Sequence, residues 1–410
     1  MNALTSLLGL NSGTPIDAED LLAVVSDPDS ETAVKNLIVD QSIASACVHR
    51  GTIVDAIELL QKLDRSPRQL IVDITGSAMP LSDLARLSDA CEPSVAVVVV
   101  GERNDVDLYR SLLGAGIQDY LFKPLSVGLL QRALAPRDAA VAVRAGRAVS
   151  FVGARGGVGT TTIAVALARH LADVTHRHIA YVDLNFHGGA ANSMLGLVTN
   201  NGLTELLQNA QLVDAPLINR MLVHKSNHLR VLSSELPYGD EFACRPGAVS
   251  ELINTLKRHF HYVMIDLSGL AGSGSSIVEE ALDASASVYI TSDRSVHAAR
   301  ETARWLRFAE DRDGDPTIAL LLNNPHENVE GRVQPADFQR ALGRASIYEL
   351  PYEPKTLAAA ENLGEPIATG KLTPFASAIV DLANTLTGRT ESAPAKQPWY
   401  ARLVGNRSRA

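Results

Sequence analysis

Residues 148–172, AVSFVGARGGVGTTTIAVALARHLA, constrain this chain more than any other stretch. An apolar strand runs into Gly153-Ala-Arg-Gly-Gly-Val-Gly159, and a helix opens at Thr160 or Thr161. Gly156, Gly157 and Gly159 let the backbone curl with its N–H groups inward, and the dipole of the following helix favours negative charge at the same place. Strand, loop and helix together make an anion site whose natural guest is phosphate; the bland reading is a glycine-rich turn that binds nothing. The stretch from Gly153 to Gly159 reads as a P-loop, but Thr160 stands where lysine normally precedes Ser/Thr. The side chain that reaches the β- and γ-phosphates is therefore absent. Thr161 keeps the position whose hydroxyl ligates magnesium, and Arg155 offers a guanidinium to phosphate oxygens from the start of the loop.

Further buried-strand candidates follow at HIAYVDL, LRVLSS, YVMIDL, SVYITS and TIALLLN, interleaved with helical stretches up to residue 388. This rhythm predicts a doubly wound α/β sheet, in which ligands lie outside the carboxyl ends of the strands at the switch point. Asp183 ends HIAYVD and Asp266 ends YVMID, where carboxylates can hold magnesium or its waters. Taken singly, either aspartate is as well explained by capping the next turn; the pair beside the loop is more telling.

Residues 21–134 carry a separate β/α series: LLAVV, QLIVDI, VAVVVV and QDYLF, each followed by an amphipathic helical stretch. At about 150 residues per domain, 410 residues suggest two or three domains. We read an N-terminal extension at 1–20, an α/β domain at 21–134, a linker at 135–147, a larger α/β domain at 148–388 and a basic tail at 389–410. The formal charge of −9, from 37 basic and 46 acidic residues, gives no footprint for a nucleic-acid backbone, and no nucleic-acid partner is expected. The longest aliphatic run, Val95–Val100, is six residues, far short of the roughly 18 that cross a bilayer. No secretory signal is evident, and Cys47, Cys91 and Cys244 form neither a disulfide framework nor a metal pattern. A cytoplasmic setting is expected.

The second domain resembles the deviant Walker ATPases that include MinD and ParA, whose KGGxGKT[ST] loop corresponds to Arg155 through Thr162. The resemblance implies ATP and Mg2+ as cofactors. It implies a nucleotide set of Gly153, Arg155, Gly156, Gly157, Val158, Gly159, Thr160, Thr161, Thr162 and Asn323, the last near adenine, and a magnesium set of Thr161, Asp183 and Asp266. In that family the first lysine reaches across a nucleotide-sandwich homodimer; Arg155 takes its place here. The family's DxD switch reads Asp183-Leu184-Asn185, and an amide cannot act as a base. ELPYEP at 349–354 is similar to the loop that follows the adenine asparagine.

The first domain is similar to a flavodoxin-like receiver domain, with Asp73 as phospho-acceptor, Asp27 as one acid of the metal pair and Lys123-Pro124 as the Lys-Pro pair. Ser26 replaces the other acid, Gly101 replaces the switch Ser/Thr, and ITGSAMP is a nonstandard loop. These losses predict a receiver-shaped localisation module that is not phosphorylated. Receiver plus MinD-like domain is the arrangement of the CpaE/TadZ family of Flp (tight-adherence) pilus assembly proteins. That resemblance implies pilus assembly and secretion components as partners, and a peripheral place at the inner membrane or cell pole. Two alternatives stay open: an active ParA/MinD-type positioning ATPase, and a phosphorylated response regulator. Among the remaining features, His176, His178 and His187 lack metal-ligand partners at zinc spacing and read as solvated or loop histidines. Ser268 and Ser273 to Ser276 read as a flexible loop beside the nucleotide, and Trp399 and Tyr400 as part of a solvated tail.

Overall fold

The computed structural model describes residues 20–63, 66–135, 145–209, 215–270, 276–323, 332–342, 346–353, 355, 357–358 and 373–388. The N-terminal extension up to residue 19, most of the expected linker, Ser273 to Ser275 and the basic tail lie outside the described residues.

The first series folds as β1 (Leu21–Val25), α1 (Pro28–Gln41), β2 (Ala46–Arg50), α2 (Ile53–Lys62), β3 (Gln69–Asp73), α3 (Pro80–Ala90), β4 (Ala96–Gly101), α4 (Val106–Gly114), β5 (Asp119–Phe122) and α5 (Val127–Leu134). Its five strands form a parallel sheet ordered β2-β1-β3-β4-β5. Leu21 through Val25 are all fully buried because helices cover both faces: Leu22 and Val24 pack into one apolar cluster, Leu21, Ala23 and Val25 into the other. Strand β2 and helix α2 were not anticipated from the sequence. Strand β2, ACVHR, lies at the sheet edge and is only half buried, so it lacks the apolar run that marks β1.

The second series runs β6 (Arg147–Gly153), α6 (Thr160–Asp173), β7 (Ile179–Asp183), α7 (Ala190–Leu195), α8 (Gly202–Gln208), α9 (Ala215–Met221), β8 (Val223–His224), β9 (Leu229–Leu232), α10 (Ala248–His259), β10 (Tyr262–Asp266), α11 (Ser276–Asp283), β11 (Ser287–Ser292), α12 (Val296–Glu310), β12 (Thr317–Asn323), α13 (Pro335–Leu342), β13 (Ser346–Leu350) and α14 (Pro374–Thr387). Eight strands are ordered β13-β12-β11-β6-β10-β7-β9-β8, parallel except for the antiparallel edge pair β8 and β9. Strand β6 is central, flanked by β10 and β11, and the chain reverses its direction of travel across the sheet there. The loop after β6 thus opens at a switch point.

The two units meet at the C-terminal corner of α3. Arg177 Nη2 lies 2.6 Å from Asp89 Oδ1, and His178 Nδ1 3.7 Å from Glu92 Oε1. His261 Nδ1 accepts the His178 backbone N–H, so its Nε2 carries the proton donated to the Ser88 carbonyl at 3.0 Å. Burial, aided by the Arg177 charge, pushes the His261 pKa down to about 4. His178 is likewise buried, its ring 4.9 Å from that of His228, which corrects its reading as a solvated or loop histidine: it closes the seam. No group of three or more potential metal-ligating side chains occurs among the described residues.

Candidate functional site

Gly153 ends β6, and the loop that follows is tied to β11 by the Ala154 N–H donating to the Thr291 carbonyl at 2.8 Å. Gly159 caps α6 with φ +89°, a left-handed conformation that side chains disfavour, and a Cβ there would lie 2.5 Å from Asn323 Nδ2. Asn323, at the end of β12, donates that amide to the Val158 carbonyl at 2.8 Å, while its buried Oδ1 has no hydrogen-bond partner among the described residues. The asparagine expected near adenine therefore also shapes the loop.

Thr160 is 3% exposed, and its Oγ1 lies 2.7 Å from where a Cβ on Gly153 would stand. The hydroxyl is turned under the loop, buried and unpaired among the described residues, where it cannot act in place of a phosphate-reaching lysine. Thr161 and Thr162 follow in the first turn of α6, both half-buried. Thr161 Oγ1 sits 3.0 Å from Ser268 Oγ, which brings the loop against the end of β10. Arg155 folds back onto its own chain: Nη1 donates to the Gly156 carbonyl at 2.9 Å and Nη2 pairs with Asp293 Oδ2. Asp293 was missed in the sequence. It follows β11 and is 1% exposed; burial works to raise its pKa, but hydrogen bonds from Ser295 and Arg155 hold it below the ordinary carboxylate value.

Asp183 and Asp266 stand opposite each other on the neighbouring strands β7 and β10. Asp266 accepts the Tyr181 hydroxyl at 2.8 Å and the Ser268 N–H at 2.9 Å. Asp183 Oδ1 accepts the Asn185 N–H at 3.0 Å, whereas its buried Oδ2 has no partner among the described residues. Burial and then the Asp266 charge push the Asp183 pKa up to about 7. An orphaned carboxylate oxygen beside a second carboxylate is an oxygen donor set that suits Mg2+, and the Thr161 hydroxyl reaches this end of β10 through Ser268. Asn185 donates its Nδ2 to the Gly188 carbonyl at 3.4 Å and accepts the His187 N–H on Oδ1 at 3.3 Å. An aspartate could not make the first of these bonds.

A family model for an AAA domain matches residues 146–310. A ParA family ATPase from Chlorobium tepidum is similar in structure with a TM-score of 0.53 at 21% identity, over 59% of this chain and 99% of that one. The second unit has the fold of the ParA and MinD ATPases. The septum site-determining protein MinD of Pyrococcus horikoshii, complexed with Mg-ADP, is similar with a TM-score of 0.50 at 17% identity over 59% of this chain and 96% of that one. A pilus assembly protein CpaE from Caulobacter crescentus matches the N-terminal part at 30% identity, over 28% of this chain and 95% of that one, with a TM-score of 0.27. No curated protein matches the sequence. The glycine loop and the two aspartates thus occupy the switch crevice of a ParA-like unit.

The receiver-like residues also converge. Asp27 caps α1, accepting the Ser30 N–H at 2.7 Å. Lys123 Nζ lies 2.6 Å from Oδ2 of both Asp27 and Asp73. Asp73 Oδ2 also accepts Ser26 N–H at 2.9 Å and Ser26 Oγ–H at 2.6 Å, and its Oδ1 accepts the Thr75 N–H at 2.8 Å. Burial raises the Asp27 pKa less than Lys123 and Ser30 lower it, leaving it at about 2; Asp73 is lowered in the same way by Lys123 and Ser26 against burial. A Cβ on Gly101 would meet the Tyr120 hydroxyl at 2.5 Å, so the space of the missing switch hydroxyl is filled by Tyr120. Among the described residues no helix is long and apolar enough to cross a membrane.

Proposed function

We propose that this chain is an ATP-binding localisation scaffold of the CpaE/TadZ kind, serving the Flp pilus machinery with little or no ATP hydrolysis. What supports the reading is a glycine loop and an aspartate pair suited to phosphates and Mg2+, combined with the loss of the residues that would drive hydrolysis. The loop amides and the Asp183–Asp266 pair offer a seat for phosphates and Mg2+, while Thr160 is turned under the loop and Asn185 is committed to its own backbone. Bound Mg2+ would supply charge neutralisation of the phosphates, held by Asp183, Thr161 and Asp266. Asn323 Oδ1, buried and without a partner among the described residues, is the acceptor we assign to an adenine amine. Nucleotide would then act by population shift, favouring a sandwich homodimer that presents a surface to pilus assembly and secretion components at the cytoplasmic face of the inner membrane or the pole.

The receiver-like unit is read as an interaction module that is not phosphorylated. The ammonium of Lys123 already bridges Asp27 and Asp73, and both Asp73 oxygens accept hydrogen bonds, Oδ2 from Ser26 and Oδ1 from Thr75. The test of the whole reading is ATP binding measured beside phosphate release on one preparation. Binding without release supports a scaffold; brisk release, stimulated by a partner or surface, supports the positioning ATPase instead.

A further inference from the structure

Beside the seam lies a cleft of about 610 Å3 walled by both units, within the range of roughly 300–1,000 Å3 typical of small-molecule sites. The first unit contributes Arg68 and Glu92; the second contributes Asn219, Arg220, Arg230 and His259. Arg230, on β9, is 4% exposed, and its position is fixed: Nη1 donates to Asn219 Oδ1 at 2.8 Å, and the guanidinium carbon stands 5.6 Å from the centre of the Phe260 ring. Its charge reaches the surroundings. His178, His228 and His259 are each held below the ordinary histidine pKa first by burial and then by positive neighbours that include Arg230, so His259 stands neutral on the wall at pH 7. Arg68 and Arg220 have side chains 83% and 71% exposed, and their carboxylate neighbours Asp20 and Glu205 are 3.8 and 3.9 Å away. Contacts so long between exposed groups hold a side chain weakly. Both arms are free to turn toward a guest. Glu92, the carboxylate on the wall, faces His178.

We propose that this cleft binds a small phosphate ester carrying at least two negative charges. One buried guanidinium held in a fixed orientation supplies constant positive charge to the wall, and two mobile guanidiniums close on the charge of the guest. A ligand seated there touches both units, so its binding is linked to how the receiver-like unit is held on the ParA-like unit. The site is independent of the phosphate loop and does not rest on the scaffold reading.

The probe is inorganic pyrophosphate, titrated calorimetrically into the full chain. Because the phosphate loop also attracts this anion, the titration is repeated with Gly159→Val, which strains the loop, and with Arg68→Ser/Arg220→Ser, two exposed positions whose loss leaves the fold intact. Gly159→Val is expected to keep one binding component that weakens with added salt. In the arginine double variant that component weakens about tenfold or more, whatever the loop does. Failure of Gly159→Val to bind millimolar pyrophosphate, with Arg68→Ser/Arg220→Ser unchanged from wild type, overturns the proposal. So does a component that the arginine variant leaves within twofold. A loop that binds nothing leaves the cleft component in place and counts only against the nucleotide reading.

Discussion

Asp183 and Asp266 are register partners on adjacent parallel strands, yet among the described residues only Asp266 of the two has both oxygens engaged by neighbours. Asp183, raised to about 7 first by burial and then by Asp266, retains its proton in the folded protein where the unfolded chain loses it near 3.8. Its contribution to stability is therefore full below pH 4 and is lost as pH rises through 7. Asp183→Asn keeps the Oδ1 acceptor for Asn185 and removes the charge. In EDTA at pH 8 it should stabilise the protein by about 1–2 kcal/mol and flatten the fall in Tm between pH 4 and 7. The same variant should weaken Mg-dependent ATP binding. A lower Tm than wild type at pH 8 would refute the orphaned-carboxylate reading.

Arg155 must leave Asp293 before it can reach a phosphate. Asp293→Asn keeps an acceptor for the Ser295 N–H but releases the guanidinium, and ATP affinity should rise about three- to tenfold. Arg155→Ala should lower affinity and leave Asp293 buried without its ion-pair partner, with a loss of stability of about 1–3 kcal/mol. Calorimetry and thermal melts of both variants decide the matter; unchanged affinity in Asp293→Asn would show that the pair is a structural tie alone.

Turnover should respond to two restorations together. Thr160→Lys supplies the missing cation and Asn185→Asp the carboxylate that can orient water, at the cost of the bond to Gly188. The double variant should release phosphate at least about tenfold faster than wild type. A rate that stays at the wild-type level would place the defect elsewhere.

Acetyl phosphate should not label Asp73, because its oxygens are taken by Lys123, Ser26 and Thr75 and no hydroxyl stands at Gly101. Lys123→Ala leaves Asp27 and Asp73 facing each other without their shared cation and should cost about 2 kcal/mol. The sign with pH is fixed: Asp27 is lowered to about 2, so its stabilisation is present above the usual carboxylate value near 3.8 and is lost as pH falls toward 2. Labelling that disappears in Asp73→Asn would instead establish a signalling receiver.

The phosphate loop and the two strand-end aspartates were legible because strand, loop and helix are contiguous and the carboxylates end apolar runs. Strand β2 was not, since a half-buried edge strand such as ACVHR shows no apolar run, and β13 is similarly short and mixed. The role of Asp293 was hidden by distance: its partner Arg155 is 138 residues away, and only the placement of β11 beside β6 brings them together. The direction of the Thr160 side chain, under the loop rather than over it, likewise depends on the close approach of Gly153. His178 misled because its burial comes from the docking of α3 against His261 and its neighbours, which no local pattern announces.

The most direct measurement titrates ATP with Mg2+ into the full chain by calorimetry while light scattering follows its mass. The account predicts saturable binding, a doubling of mass with ATP that ADP does not produce, and no phosphate release over the experiment. Absence of heat with an unchanged mass would contradict it, and would leave the ParA-like unit as a fold that has kept the shape of a nucleotide site without its ligand.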